Sequence, residues 1–441
     1  MSVINQSQSK KTNFKMLILP WIVCFSASLF FAYELLQLHV MNALSPMLIK
    51  DLSLNATEFA TLCSTYLWAD VIFLLPAGII LDRFSVRRVI LVALLFCLMG
   101  TAGLSQSTSL GFASLCHFFS GIGNAFCFLS CILLISRWFP KERQAFLIGL
   151  MITIGMLGGV IAQRPFSMLA EHFSWRQALL IDAMLGVGLF AIIFAFVKDA
   201  PKKMKEIKSE SIPFFEGVKR SILNFHNICC GLYTCFMNLP LMIISAVWGS
   251  LFLTQVHGIE LATASFIASM ICVGTIVGSP IFGWASDKLG RRLPLMIFGG
   301  VSSIALFTLI LYLPNPGAQM FAILFFALGF LTSAQTLGYP AITENNPKEL
   351  TGTSMGVAAV IIMGLPALIQ PLSGKLLDWS WNGTMVDGSP FYSASDFHIA
   401  FLIFPIGFAI SLLTLFKIKD RPKKVLETAL QNEKSALYPP P

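Results

Sequence analysis

A short charged phrase, set between long apolar runs, occurs once in each half of this chain. Gly78-Ile79-Ile80-Leu81-Asp82-Arg83-Phe84-Ser85-Val86-Arg87-Arg88 returns as Gly283-Trp284-Ala285-Ser286-Asp287-Lys288-Leu289-Gly290-Arg291-Arg292. Each copy follows one apolar helix and precedes another. A charged hairpin that recurs at equivalent places restricts the fold to a duplicated membrane protein, two related sets of spans joined near the middle.

Composition agrees with that constraint. Of 441 residues, 56% are hydrophobic and only 12% charged, with a mean hydropathy of +0.76; soluble domains carry about 25% charged residues. The chain is therefore solvated by lipid. Runs of about 20 apolar residues, the length that crosses a bilayer, fall near 17–43, 58–81, 88–106, 111–136, 144–168, 176–197, 228–254, 261–284, 293–313, 318–340, 352–377 and 397–417. They predict an all-α membrane protein of twelve transmembrane helices in two pseudo-symmetric six-helix bundles. The expected division is 1–198 for the first bundle, 199–225 for a linker, 226–420 for the second bundle and 421–441 for a tail.

Basic residues set the orientation. With both termini and every even-to-odd connection on one side, all of the 30 Lys and Arg lie there except Lys50, Arg164, Arg176 and Lys375. By the positive-inside rule that side is cytoplasmic, so the localisation expected is the bacterial inner membrane with both termini cytoplasmic. The net charge of +8 reflects topology and contact with anionic lipid, and it calls for no nucleic-acid partner. The first apolar run is too long for a signal core and lacks a small-x-small cleavage site, so span one is expected to persist. The ten cysteines lie in apolar segments without metal-type spacing and read as small packing residues.

Residues 199–225 interrupt the apolar pattern with Lys202, Lys203, Lys205 and Lys208, followed by Phe214, Phe215, Val218 and Ile222 at near-helical spacing. A linker ending in an amphipathic helix on the membrane face is expected. A second echo joins the halves: span five holds Gln163-Arg164-Pro165-Phe166-Ser167 and span eleven Gln370-Pro371-Leu372-Ser373-Gly374. Both helices are expected to be locally irregular.

The second copy of the charged phrase matches the G-x-x-x-D-[RK]-x-G-[RK]-[RK] loop of the major facilitator superfamily, and the first departs from it at Ser85 and Val86. The chain thus resembles that superfamily over 17–420. The resemblance implies a latch that stabilises one face of a transporter, carried by Gly78, Asp82, Arg83, Gly283, Asp287, Lys288 and Arg291. Glycine would admit a neighbouring helix, and each aspartate would accept bonds from a facing helix N-terminus. Where family members often carry R-x-x-x-G-x-G, this chain has His117-Phe118-Phe119-Ser120-Gly121-Ile122-Gly123, and the antiporter phrase G-P-x-x-G-G of helix five is absent. Tyr33-Glu34-Leu35-Leu36, Ser45-Pro46 and the Gln-x-Pro of span five are similar to a branch containing bacterial phagosomal-type amino-acid carriers and lysosomal dipeptide carriers.

A charge at the bilayer centre costs about 2.5–3.5 kcal/mol on insertion scales, so each one needs a partner, a wet cavity or a function. Glu34 heads a polar stripe with Gln37, Asn42 and Ser45 on span one, expected to face a central cavity. Asp70 and Tyr66 of span two are expected beside it. Arg164 has three open readings: a fork for a substrate carboxylate, an internal pair with Glu34 or Asp70, or snorkelling to the outer surface. His117 is a candidate for proton coupling with Glu34 and Asp70, or else an interhelical hydrogen bond. Asp182 is expected to pair locally with Arg176. Trp248, Gln335, Tyr339 and Gln370 are candidates for completing the substrate site with Arg164, Glu34, Gln37 and Tyr66.

No phosphate-binding loop, Ser-His-Asp order or metal spacing appears, which argues against an ATP-driven pump or an enzyme. The function expected is secondary active transport by alternating access: proton-coupled uptake of an amino acid, short peptide or organic anion by a monomer without cofactor. Export of a drug, siderophore or metabolite is the alternative, and a transporter-like receptor or partner subunit is a second one.

Overall fold

In hydrocarbon a chain must satisfy its own backbone N–H and C=O groups, which a helix does within one segment. Twelve helical segments long and apolar enough to cross a membrane are present in the computed structural model, which describes residues 2–199, 214–314 and 316–418. The protein is a multi-pass integral membrane protein of all-α class. By contact the chain divides into two units, Met1–Ile207 with Glu260–Ser265 and Met385–Phe391, and Lys208–Ile259 with Phe266–Thr384 and Tyr392–Pro441.

The first unit holds α1 (Ser2–Asp51), α2 (Ala56–Arg83), α3 (Val86–Ser105), α4 (Leu110–Trp138), α5 (Lys141–Ile161), α6 (Arg164–His172) and α7 (Trp175–Phe196). Span five is α5 and α6 in series, broken at Ala162 and Gln163. Asn55 and Glu58 form a reciprocal capping box at the start of α2, so Asn55-Ala56-Thr57 acts as a helix start. Faces directed outward are apolar, as at Met184, Leu185 and Val187 of α7, because their solvent is lipid.

The second unit begins with α8 (Phe214–Leu223) and α9 (Phe225–Met237). Span seven continues from α9 through a π-helical stretch, Pro240–Trp248, into α10 (Gly249–His257). Then come α11 (Leu261–Leu289), α12 (Leu293–Tyr312), α13 (Ala318–Thr332), a 3-10 turn at Ser333–Leu337, α14 (Gly338–Asn345) and α15 (Lys348–Ser380). A hairpin of two-residue strands, β1 (Met385–Val386) with β2 (Ser389–Pro390), which by contact belongs to the first unit, precedes α16 (Ala394–Phe401) and α17 (Ile403–Leu415). The rings of Phe307 of α12 and Phe404 of α17 meet at a tilt, 4.6 Å apart, and Phe252 of α10 lies 5.3 Å from Phe397 and Phe401 of α16.

The duplication reaches into the packing. A Cβ added to Gly121 of α4 would stand 2.2 Å from the Tyr66 carbonyl oxygen of α2, and one added to Gly329 of α13 would stand 2.1 Å from the Ile271 carbonyl oxygen of α11. Spans two and four of one unit, and eight and ten of the other, thus touch backbone to backbone at corresponding points.

Two expectations about irregular helices part ways. Span five is broken, but α15 runs unbroken through Pro366 and Pro371, and the irregular helices of the second unit are spans seven, ten and twelve. A proline removes one donor and displaces one carbonyl, which a long helix absorbs without ending. The matched glutamines nevertheless do equivalent work. Gln163 accepts from Asn42 of α1 at 2.7 Å, and Gln370 donates to the Met242 carbonyl of the π-helical stretch at 2.8 Å. Each ties span five or eleven to the first span of its own unit.

Of the linker, 200–213 lies outside the described residues, as does the tail 421–441. In α8, Ser221 meets Ser354 of α15 at 3.0 Å, while Ile222 and Leu223 are exposed. All ten cysteines are buried and unpaired by disulfides.

Candidate functional site

The polar stripe of α1 points into its own unit. Glu34 is 0% exposed; its Oε2 accepts from the Tyr66 hydroxyl at 3.0 Å, which also bonds the Glu34 carbonyl at 2.9 Å. Its Oε1 has no hydrogen-bond partner of ordinary geometry, and a Cβ on Gly123 would stand 2.0 Å from that atom. Gln37 donates to Asp182 Oδ2 of α7 at 2.6 Å and accepts from the Thr101 hydroxyl of α3 at 3.0 Å. Thr101 in turn lies 3.5 Å from the Ser120 hydroxyl of α4. The chain of bonds joins four helices.

Asp70 is buried and faces the Asn124 side chain. His117 is buried with Nδ1 unpartnered, its ring 5.3 Å from that of Tyr66. Tyr66 thus touches both Glu34 and His117, and Asp70 lies within electrostatic reach of Glu34. Gln37 and Tyr66, expected to line the substrate site, are engaged inside the unit in bonds to Asp182 and Glu34.

Asp182 was legible as an intramembrane charge, but its expected pairing with Arg176 does not form. Six residues of helix rotate a side chain well away from its starting face. Arg176 instead pairs with Asp51 and donates to the Ser107 carbonyl at 2.9 Å.

Arg164 is exposed at the first position of α6, whereas Glu34 and Asp70 are buried. Glu34 is held by Tyr66, and Asp70 faces Asn124. Span five extends to His172, so Arg164 sits eight residues, about 12 Å of helix, inside its end. A guanidinium at the start of a helix joins its own charge to the positive end of the helix dipole. That place suits an anion.

In the second unit Trp248 is buried and donates to Ser373 at 2.8 Å. Gln370 is buried with its Oε1 unpartnered. Gln335 is buried in the 3-10 turn, its carbonyl accepting from Thr234 at 3.1 Å, and Tyr339 is half-buried in α14. Trp248 and Gln370 share the Ser373 region, since Ser373 donates to the Gln370 carbonyl at 2.6 Å.

The two charged loops differ for a local reason. Gly290 has φ +67°, the left-handed region that glycine enters freely. Its counterpart Ser85 is extended, caps α3 through Arg88 N–H and bonds Asp199, so a glycine is not needed there. Neither leading glycine serves a close approach: a Cβ on Gly283 meets nothing within 4 Å, and one on Gly78 meets Leu129 at 3.9 Å. Asp287 pairs with Arg292 of its own loop at 2.7 Å instead of capping a facing helix, and Arg292 also reaches Glu344 of α14 at 2.8 Å. Burial works against the Arg292 charge, but the bonds from Glu344 and Asp287 outweigh it and raise its pKa from the ordinary value. Lys288 lies over the Trp284 ring at 5.0 Å, Arg83 and Arg291 are exposed, and the Asp82 side chain lies outside the described residues. Arg292 and Glu344 were missed because the phrase specifies only a base at that position, and its partner lies 52 residues away.

One test follows from this loop. Arg292→Ala and Glu344→Ala are each expected to lower stability by about 1–2 kcal/mol, less than a fully buried pair because all three groups retain some solvent. The double variant should lose much less than the two singles added. Additive losses in thermal unfolding of the four proteins would show that the two residues act independently.

A family model described as Major Facilitator Superfamily matches residues 21–371 and 230–439. The membrane sensor protein UhpC of Salmonella typhimurium is 24% identical over 367 residues, 78% of this chain and 82% of that protein. The probable galactarate/D-glucarate transporter GudP of Bacillus subtilis is 23% identical over 347 residues, covering 70% and 74% respectively. Among solved structures, a bacterial homolog of the human lysosomal transporter Spinster, inward-facing and occupied, superposes with a TM-score of 0.70 at 17% identity, covering 91% of this chain and 97% of that one.

Proposed function

This chain belongs to the major facilitator superfamily, and we propose that it is a secondary transporter that takes up a small organic acid of the sugar-acid class, coupled to protons, by alternating access. The observation that carries this reading is the exposed guanidinium of Arg164 at the break in span five. A fork of N–H donors matches a carboxylate in two parallel bonds. GudP, whose name specifies sugar diacids, supports an organic acid over the amino acid or short peptide implied by the narrower likeness. Glu34 and Asp70, buried without a basic partner among the bonds that hold them, are the groups assigned to proton coupling, with His117 beside them.

The charged loops are assigned to gating, with Arg292 and Glu344 added to Asp287. Bundles at 1–198 and 226–420, a cytoplasmic linker at 199–225 and a cytoplasmic tail at 421–441 complete the assignment. The side on which the basic residues gather supports the bacterial inner membrane with both termini cytoplasmic.

A second reading, a solute sensor that binds without transporting, is favoured by the likeness to UhpC. Counterflow separates the two. Liposomes holding the full chain and preloaded with unlabelled D-glucarate are expected to accumulate labelled D-glucarate transiently, and an inward acid gradient is expected to drive net uptake. Stabilisation of the protein by D-glucarate without counterflow would establish the sensor. Counterflow of amino acids or dipeptides but not of D-glucarate would overturn the substrate class.

A further inference from the structure

We infer that Asp182 of α7 is a proton-binding site whose occupancy is read by Gln37 of α1, a deepening that rests on the proton-coupled reading above. The two oxygens of Asp182 are differently placed. Oδ2 accepts from Gln37 Nε2 at 2.6 Å, Oδ1 has no partner, and the residue is 0% exposed. The Tyr33 hydroxyl is committed to the Asp182 backbone carbonyl at 3.2 Å.

The ionisable groups that face Asp182 are acidic or neutral. From α1 come Tyr33 and Glu34, and from α3 comes Cys97. On α6, Arg164, Glu171 and His172 are exposed. Arg176, on the same helix as Asp182, is held by Asp51 and Ser107. A bare carboxylate here stands beside another acid, within a span, with the Gln37 amide as its side-chain donor. Such a charge is expensive in lipid unless paired. A proton taken from water onto Oδ1 removes the charge, breaks no heavy-atom bond and leaves the Gln37 contact on Oδ2 intact.

Occupancy has a structural readout. When the proton leaves, the amide bond from Gln37 becomes charge-assisted and roughly twice as strong. Gln37 lies one helical turn from Glu34 and is itself anchored through Thr101 toward Ser120. The proton on Asp182 therefore sets how tightly α7 holds α1, and through α1 the helix that bears Glu34.

The test is a pH-difference infrared spectrum of the purified full chain in lipid nanodiscs, which needs no substrate. The protonated acid is expected to give a carboxyl C=O band that Asp182→Asn removes; asparagine has the shape of the neutral acid and still accepts from Gln37. Gln37→Leu is expected to move the same band to higher frequency, because the bonded C=O loses its donor, an effect that a purely structural aspartate would not show. Identical carboxyl bands in the normal protein and Asp182→Asn would overturn the site. If Asp182→Asn does not fold, an unmoved band set in Gln37→Leu overturns it equally. Failure of D-glucarate counterflow with these bands intact would count against the transport reading alone.

Discussion

Replacing Arg164 with alanine is expected to abolish uptake of the organic acid while the protein reaches the membrane in normal amount. The side chain is exposed at the first position of α6, so its loss opens no packed cavity. Removing one partner of a two-pronged charged contact costs about 3 kcal/mol, on the order of a hundredfold in affinity. Arg164→Lys is expected to restore little, since an ammonium offers a point charge in place of a planar fork. The ligand provides the reciprocal test. A methyl ester of the acid should compete at least tenfold less well than the free acid against the normal protein, and the two should compete alike against Arg164→Ala. Equal competition against the normal protein would remove the carboxylate from the assignment whatever the variants do.

The second large effect concerns stability. Gly121→Ala and Gly329→Ala each place a methyl group within 2.2 Å of a carbonyl oxygen of the facing helix. A side chain can swing away from such a clash; a backbone carbonyl held in its own helix cannot. Each substitution is expected to cost about 3 kcal/mol, the upper part of the range for overpacking, and to lower the unfolding temperature markedly. Gly111→Ala, in the same α4 with nothing within 4 Å of the added atom, is the control and should cause no loss. Equal behaviour of Gly111→Ala and Gly121→Ala would show that α2 and α4 are not in backbone contact.

These two substitutions also mark where sequence and structure part. The spans were legible because hydrocarbon thickness fixes the length of an apolar run, and the duplicated loop announced the two units. The glycine contacts were not, since nothing in His117-Phe118-Phe119-Ser120-Gly121 says which glycine meets a backbone and which, like Gly283, meets nothing. Breaks were only half legible: Gln163 and Pro165 mark a real interruption, while Pro371 sits in an unbroken helix. In the site, Glu34, Asp70 and His117 were found as polar residues in apolar helices. Asp182 carried the same signal but was assigned by its nearness in sequence to Arg176, where helical phase would have separated them. Nothing in the sequence could tell that Gln37 donates to Asp182 and Tyr66 to Glu34, because each pair spans two helices.

The burial of every cysteine makes the unmodified protein a ready background for site-directed spectroscopy. Thiols packed against neighbouring helices are out of reach of bulky, water-borne maleimides, so a single engineered cysteine on an exposed loop would take up fluorophore or spin label alone. The native residues need not first be stripped out, each removal risking a cavity or a clash. Conformational exchange can then be followed in the wild-type framework, with its ten native sulfur atoms left in place.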